Sequence, residues 1–107
     1  MTTIRLLYDT DGCLNGYDVS GHAGAGSEGN DLVCAAVSFL AVTCANALET
    51  VAAVKPQVYQ ANGKLTVTLP ENEHTHEALV ILETFRQGGK DLIDAYPNNV
   101  RLLEPAL

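Results

Sequence analysis

Leu32-Val33-Cys34-Ala35-Ala36-Val37-Ser38-Phe39-Leu40-Ala41-Val42-Thr43-Cys44-Ala45-Asn46-Ala47-Leu48 is the stretch on which the fold turns. It carries no charge, and its length sits below the roughly 20 apolar residues that a membrane-spanning helix needs. Ser38, Thr43 and Asn46 interrupt it, Asp31 and Glu49 flank it, and no Lys or Arg lies close to either end. These features predict a buried helix over about Asp31 to Ala53, with Asp31 as its N-cap. Apolar residues fall on more than one face of this helix: Leu32, Val33, Val37, Phe39, Leu40, Val42, Leu48 and Val51. A surface helix has one apolar stripe, so this one requires cover on two sides. A sheet supplies the first cover; a second copy of the chain is expected to supply the other, as a homodimer.

The flanking segments supply the sheet. Ile4–Tyr8 and Leu14–Val19 read as strands around Asp11-Gly12, a pair suited to the positive φ of a hairpin turn. Beyond Pro56, Gln57–Gln60 and Lys64–Leu69 flank a second such signal, Asn62-Gly63. Leu65, Val67 and Leu69 alternate with Lys64, Thr66 and Thr68, giving one buried and one wet face. A second helix follows over about Asn72 to Tyr96, its stripe of Ala78, Leu82, Phe85, Leu92 and Tyr96 running through Gly88-Gly89. The glycines are read as allowing close packing in a continuous or slightly bent helix. Val100–Leu103 closes the chain as a short strand. The expected fold class is α+β: a two-layer ββαββα(β) sandwich with a mainly antiparallel sheet and two helices, one domain over residues 1–107.

Charge narrows the partner. Thirteen acidic residues against six basic ones give a net charge of -7, the wrong sign for direct nucleic-acid binding, which needs clustered Lys and Arg. A basic peptide or protein suits it. Cys13, Cys34 and Cys44 are an odd number with no CxxC pair, which disfavours a disulfide framework or a four-ligand zinc site. Met1-Thr2-Thr3 leads straight into a strand pattern with no secretory signal, so a cytoplasmic location is expected, away from the membrane.

The chemistry-bearing residues gather between the first hairpin and the long helix. With Asp31 as the cap, Cys34 falls in the first helical turn, where free N–H groups and the macrodipole favour a thiolate. His22 ends the second strand, and the small-residue loop from Gly21 to Asn30 can fold back to bring its imidazole beside the sulfur. Such a pair makes Cys34 a nucleophile and His22 the group that takes and returns its proton. The helix start could hold an oxyanion. The plainer readings carry weight: a cysteine in an apolar helix is ordinarily a small buried hydrophobe. Asp31 orients His22 or simply caps the helix, and Ser38 faces the site or bonds back to its own backbone.

Gly24-Ala25-Gly26-Ser27-Glu28-Gly29 also matches GxGxxG, which raises a nucleotide-binding alternative. The preceding strand belongs to a hairpin, however, and no Lys or Arg in the loop offsets Glu28. His74 and His76, near Glu71, Glu73 and Glu77, resemble a metal cluster only superficially: on a helix, rings two residues apart point roughly 200° away from each other. No metal or cofactor is expected. Cys44 is read as buried packing, and Cys13 as partnerless.

Gly21-His22-Ala23, seven small or polar residues, then Asp31-Leu32-Val33-Cys34-Ala35-Ala36-Val37-Ser38 resembles the signature of the bacterial ribosomal-processing cysteine proteases. The resemblance implies a cysteine endopeptidase that trims a short N-terminal extension, hydrophobic and aromatic near its cut, from a basic large-subunit ribosomal protein. It implies His22 and Cys34 as the catalytic pair, Asp31 and Ser38 as neighbouring motif positions, Gly24, Gly26 and Gly29 in a mobile substrate loop, and a homodimer. Ala25-Gly26-Ser27 is smaller than the family pattern at the loop centre. Glu28 and Asp31 are expected to engage positive charges on the substrate, and substrate to order Gly21–Asn30 as the site assembles. A noncatalytic ribosome-associated binding module remains a further alternative.

Overall fold

A computed structural model describes residues 1–21 and 28–104, with the backbone alone over residues 28–31. The chain runs β1 (Thr2–Tyr8), β2 (Leu14–Ser20), α1 (Glu28–Thr50), β3 (Gln57–Ala61), β4 (Lys64–Thr68), a single 3-10 turn (Glu71–Glu73), α2 (His76–Ala95) and β5 (Val100–Leu103). The strands form one sheet in the order β3-β4-β2-β1-β5. Every pairing is antiparallel except β1 with β5. This is the α+β, mainly antiparallel two-layer arrangement expected from the hydrophobic periodicity.

Both hairpins form where the turn signals stand. Asp9 organises the first: its Oδ1 accepts from the N–H groups of Asp11 and Cys13, each at 2.9 Å, while Gly12 takes φ 82°. Asn62-Gly63 links Ala61 to Lys64 directly, and Gly63 takes φ 71°. Where β2 meets β4 the strands approach closely at Gly16. A Cβ there would lie 2.2 Å from the Val67 carbonyl oxygen, so only glycine permits the spacing.

Period-two alternation decides which residues face the helices. Thr2, Ile4 and Leu6 on β1 share register with Val100, Leu102, Val19 and Tyr17, and Tyr17 in turn with Val67. Tyr17 joins the layers: its ring stacks on Phe85 of α2, with centroids 3.7 Å apart and planes at 14°. Its hydroxyl donates to the Ala41 carbonyl of α1 at 2.6 Å. Burial pushes the ionisation of that hydroxyl far up, so it stays a donor.

By length and composition Leu32–Thr50 is apolar enough to cross a membrane; within this fold the same residues form a core helix. Val33, Val37, Ala41, Cys44, Ala45 and Leu48 make its buried stripe. Leu32, Phe39, Val42 and Val51 lie outside that stripe and are exposed. Gly88-Gly89 does not break α2. A Cβ at Gly88 would lie 2.7 Å from the Leu40 side chain, which marks the close approach of the two helices.

Three helix boundaries differ from expectation by three residues or more. α1 begins at Glu28, not Asp31, and ends at Thr50, not Ala53. Asp31 is thus the fourth helical residue and cannot be the N-cap. An acidic residue in the first turn favours starting at Glu28, because it complements the positive end of the helix dipole. At the other end Ala53 turns left-handed, with φ 58°, and Ala52 donates to the Ala47 carbonyl at 3.0 Å, closing the helix before Pro56. α2 begins at His76 rather than Asn72, because the Thr75 hydroxyl caps it by accepting from Ala78 N–H at 3.1 Å. His74 therefore precedes the helix.

The dinucleotide alternative loses its framework here. β2 has antiparallel neighbours on both sides, and α1 leads to the edge strand β3. A pyrophosphate-binding glycine loop requires a parallel return beside its first strand.

Candidate active site

A cleft of about 270 Å³ opens between α1 and the β2–β4–β3 side of the sheet. Its helical wall comes from Cys34, Ser38 and Val42, one turn apart on the rim of the buried stripe. Val19 and Leu65 give it an apolar floor, and Gln60 lines it beside them. Among the described lining residues Lys64 is the single charged one, and its Nζ lies 3.4 Å from Asp18 Oδ2.

Cys34 is half-buried, and its Sγ lies 3.2 Å from Thr2 Oγ1. It is the seventh residue of α1, so it stands in the second turn rather than the first. That placement corrects the expected source of thiolate stabilisation. Free N–H groups belong to the first four helical residues, and the dipole's influence fades within the first turn. The same reasoning removes the Cys34 N–H as an oxyanion donor.

Ser38 is exposed and lines the same cleft. His22, Gly24 and Gly26 lie outside the described residues, and so does the juxtaposition of His22 with Cys34. Glu28, Gly29 and Asp31 have their backbone in α1, so the expected loop over Gly21–Asn30 ends earlier, at the start of the helix. Gly21, the residue before His22, lines the cleft with φ 91°. A Cβ there would meet the Met1 carbonyl oxygen at 2.4 Å.

The other cysteines lie elsewhere. Cys44 is 6% exposed, and burial raises its thiol pKa. Cys13 is exposed beside the first hairpin turn and lines a separate cleft with His74 and His76. His74 Nδ1 lies 3.8 Å from Asp9 Oδ2. Among the described residues, no three His, Cys, Asp or Glu side chains are placed to share a metal ion.

The residues that sequence reading missed come mostly from the sheet, among them Thr2, Val19, Gln60 and Leu65, with Val42 added from α1. For Thr2 the signal was available, since alternation with Ile4 and Leu6 places it on the helix-facing side of β1.

A half-buried cysteine on the wall of a cleft, in a two-layer α+β domain, is an arrangement that suits a small cysteine protease. The chain belongs to the cysteine protease Prp family, whose model matches residues 1–101. A ribosomal processing cysteine protease Prp from Staphylococcus aureus (strain Mu50) is 27% identical over 103 residues, covering 95% of this chain and 97% of that protein. The S. aureus Prp structure with a substrate peptide superposes with a TM-score of 0.88 at 23% identity, covering 98% of this chain and all of the other, a likeness of fold. Its structure with a covalently linked product peptide gives a TM-score of 0.84 at 26% identity, with coverage of 98% and 100%. This chain is a cysteine protease.

Proposed function

We propose that the chain removes a short N-terminal extension from a basic large-subunit ribosomal protein, with Cys34 as nucleophile and His22 as the base. The observation that carries this reading is that Cys34, alone of the three cysteines, lines the cleft between α1 and the sheet. The substrate class follows the S. aureus relative, a ribosomal processing protease. The apolar floor of Val19 and Leu65 suits an extension that is hydrophobic near its cut. His22 directly follows Gly21, itself a lining residue, which supports its pairing with the sulfur. In this reading His22 takes the thiol proton and Cys34 Sγ attacks the scissile carbonyl carbon. His22 then protonates the leaving amine, and water releases the acyl group. Asp31 and Ser38 are supporting positions, and Gly24, Gly26, Glu28 and Gly29 belong to the substrate-facing segment.

The test is mass spectrometry of a synthetic peptide spanning such an extension and its junction, before and after partial alkylation with iodoacetamide. Cleavage at one bond is expected, and its loss should track modification of Cys34 in the peptide map while Cys44 stays unmodified. Loss of activity that instead follows Cys13 would move the nucleophile to another cleft. A peptide that binds but is never cut would favour the noncatalytic binding module.

The enzyme on this reading works in the cytoplasm, on a peptide rather than on nucleic acid or at a membrane, and as a homodimer. Support for the dimer is the exposed set of Leu32, Phe39 and Val42 on α1, outside its buried stripe. Sedimentation equilibrium at micromolar concentration should return twice the mass of the chain, and Phe39→Glu should halve it. A wild-type monomer at that concentration excludes the dimer.

A further inference from the structure

We propose that Thr2 is a positioning residue for Cys34, its hydroxyl holding the sulfur and favouring the thiolate; this rests on the reading of Cys34 as the nucleophile.

Thr2 begins the row that β1 turns toward the helices. Ile4 and Leu6 in that row are fully buried, and Thr2 is 4% exposed. A hydroxyl in such a position gives up water and needs a partner. The partner is the Cys34 sulfur, 3.2 Å from Oγ1 and 32 residues away in sequence. Backbone pairing fixes the threonine: its N–H donates to the Asn99 carbonyl at 3.0 Å, and it stands in register with Val100 of β5. A β-branched side chain on a paired strand has little rotamer freedom. The hydroxyl therefore meets the sulfur from a rigid strand, and the sulfur meets it from a rigid helix.

The contact discriminates between protonation states. With a neutral thiol, either group can donate. Once the sulfur has lost its proton, only O–H···S⁻ is available, and such a charge-assisted bond is roughly twice as strong as a neutral one. The thiolate therefore gains more from Thr2 than the thiol does. This matters because Cys34 stands in the second turn of α1, beyond the reach of the helix start. A local donor from the sheet takes the place of the dipole. Thr2 keeps its own proton throughout: the Cys34 proton goes to the base, Sγ forms the bond to the carbonyl carbon, and the hydroxyl only orients and stabilises the sulfur.

Two substitutions separate the hydroxyl from the packing. Thr2→Val keeps the shape and loses the donor; Thr2→Ser keeps the donor and loses a methyl group. With the junction peptide as substrate, Thr2→Val should lower kcat by about five-fold, with KM within about two-fold of wild type. Iodoacetamide modification of Cys34 at pH 7 should slow by a similar factor, and Thr2→Ser should restore both rates. Should Thr2→Val fail to fold, Thr2→Ala carries the same expectation. Wild-type rates in Thr2→Val, or a loss in Thr2→Ser equal to that in Thr2→Val, overturn the proposal. A Cys34→Ala control tells the two readings apart. If Cys34→Ala is inactive and Thr2→Val is unimpaired, only the role of Thr2 fails; if Cys34→Ala still cuts, the nucleophile assignment fails first.

Discussion

Cys34→Ala is expected to abolish cleavage of the junction peptide, lowering kcat by about 10⁴-fold or more while leaving the peptide bound. On the proposed mechanism the size follows from covalent catalysis: without Sγ no acyl-enzyme forms, and the remaining cleft only positions the peptide. The nearby hydroxyls cannot take over. Ser38 lines the same wall one turn further along α1, but an alkoxide is far harder to form than a thiolate. Thr2 presents its hydroxyl to the sulfur from a strand buried beneath it. Cys13 opens into a different cleft, and Cys44 is packed in the core. Peptide binding, read by fluorescence anisotropy, should therefore survive within a few-fold while turnover vanishes. A variant that still cuts the peptide at the wild-type bond removes Cys34 from the mechanism.

The second large effect is structural. Phe85→Ala should destabilise the fold by about 3–5 kcal/mol, the usual cost of emptying a buried aromatic site. Domains of this size have roughly 5–15 kcal/mol in total, so the variant loses a large part of its margin. Phe85 is fully buried, and its ring lies flat against Tyr17. Tyr17 cannot close the gap by swinging across, because its hydroxyl is committed to the Ala41 carbonyl on α1. Removing the ring therefore leaves a cavity at the junction of α1, α2 and the sheet. Urea unfolding followed by circular dichroism should show a lower midpoint with an unchanged slope. A loss below about 1 kcal/mol means that the neighbouring side chains collapse into the space.

Much of this molecule was legible one residue at a time. Alternation in Lys64–Leu69 marked a half-buried strand, Asp11-Gly12 and Asn62-Gly63 marked hairpins, and the Ala78-Leu82-Phe85 spacing marked the face of α2. Each signal is local: a φ preference, or a period of two or of 3.6. The segment from Gly21 to Ser38 likewise carried the family, because spacing along a chain survives without knowledge of contacts. Helix starts were read less well. Asp31 looked like a cap, but Ser, Asp and Asn are common near any helix start, and the residue that leads the helix is Glu28. At α2 the cap is Thr75, and the acidic run before it forms a separate 3-10 turn.

The sequence by itself determined the elements, their order, the two-layer class and the cysteine on which the chemistry is proposed to rest, because these depend on periodicity and on short motifs. Only the tertiary structure decided that the sheet order is β3-β4-β2-β1-β5, that β5 runs parallel beside β1, and that Thr2 meets the sulfur of Cys34. Those facts join residues tens of positions apart. Their pairing is chosen by the simultaneous burial of Tyr17, Phe85 and the α1 stripe, and no local window of the chain contains that sum.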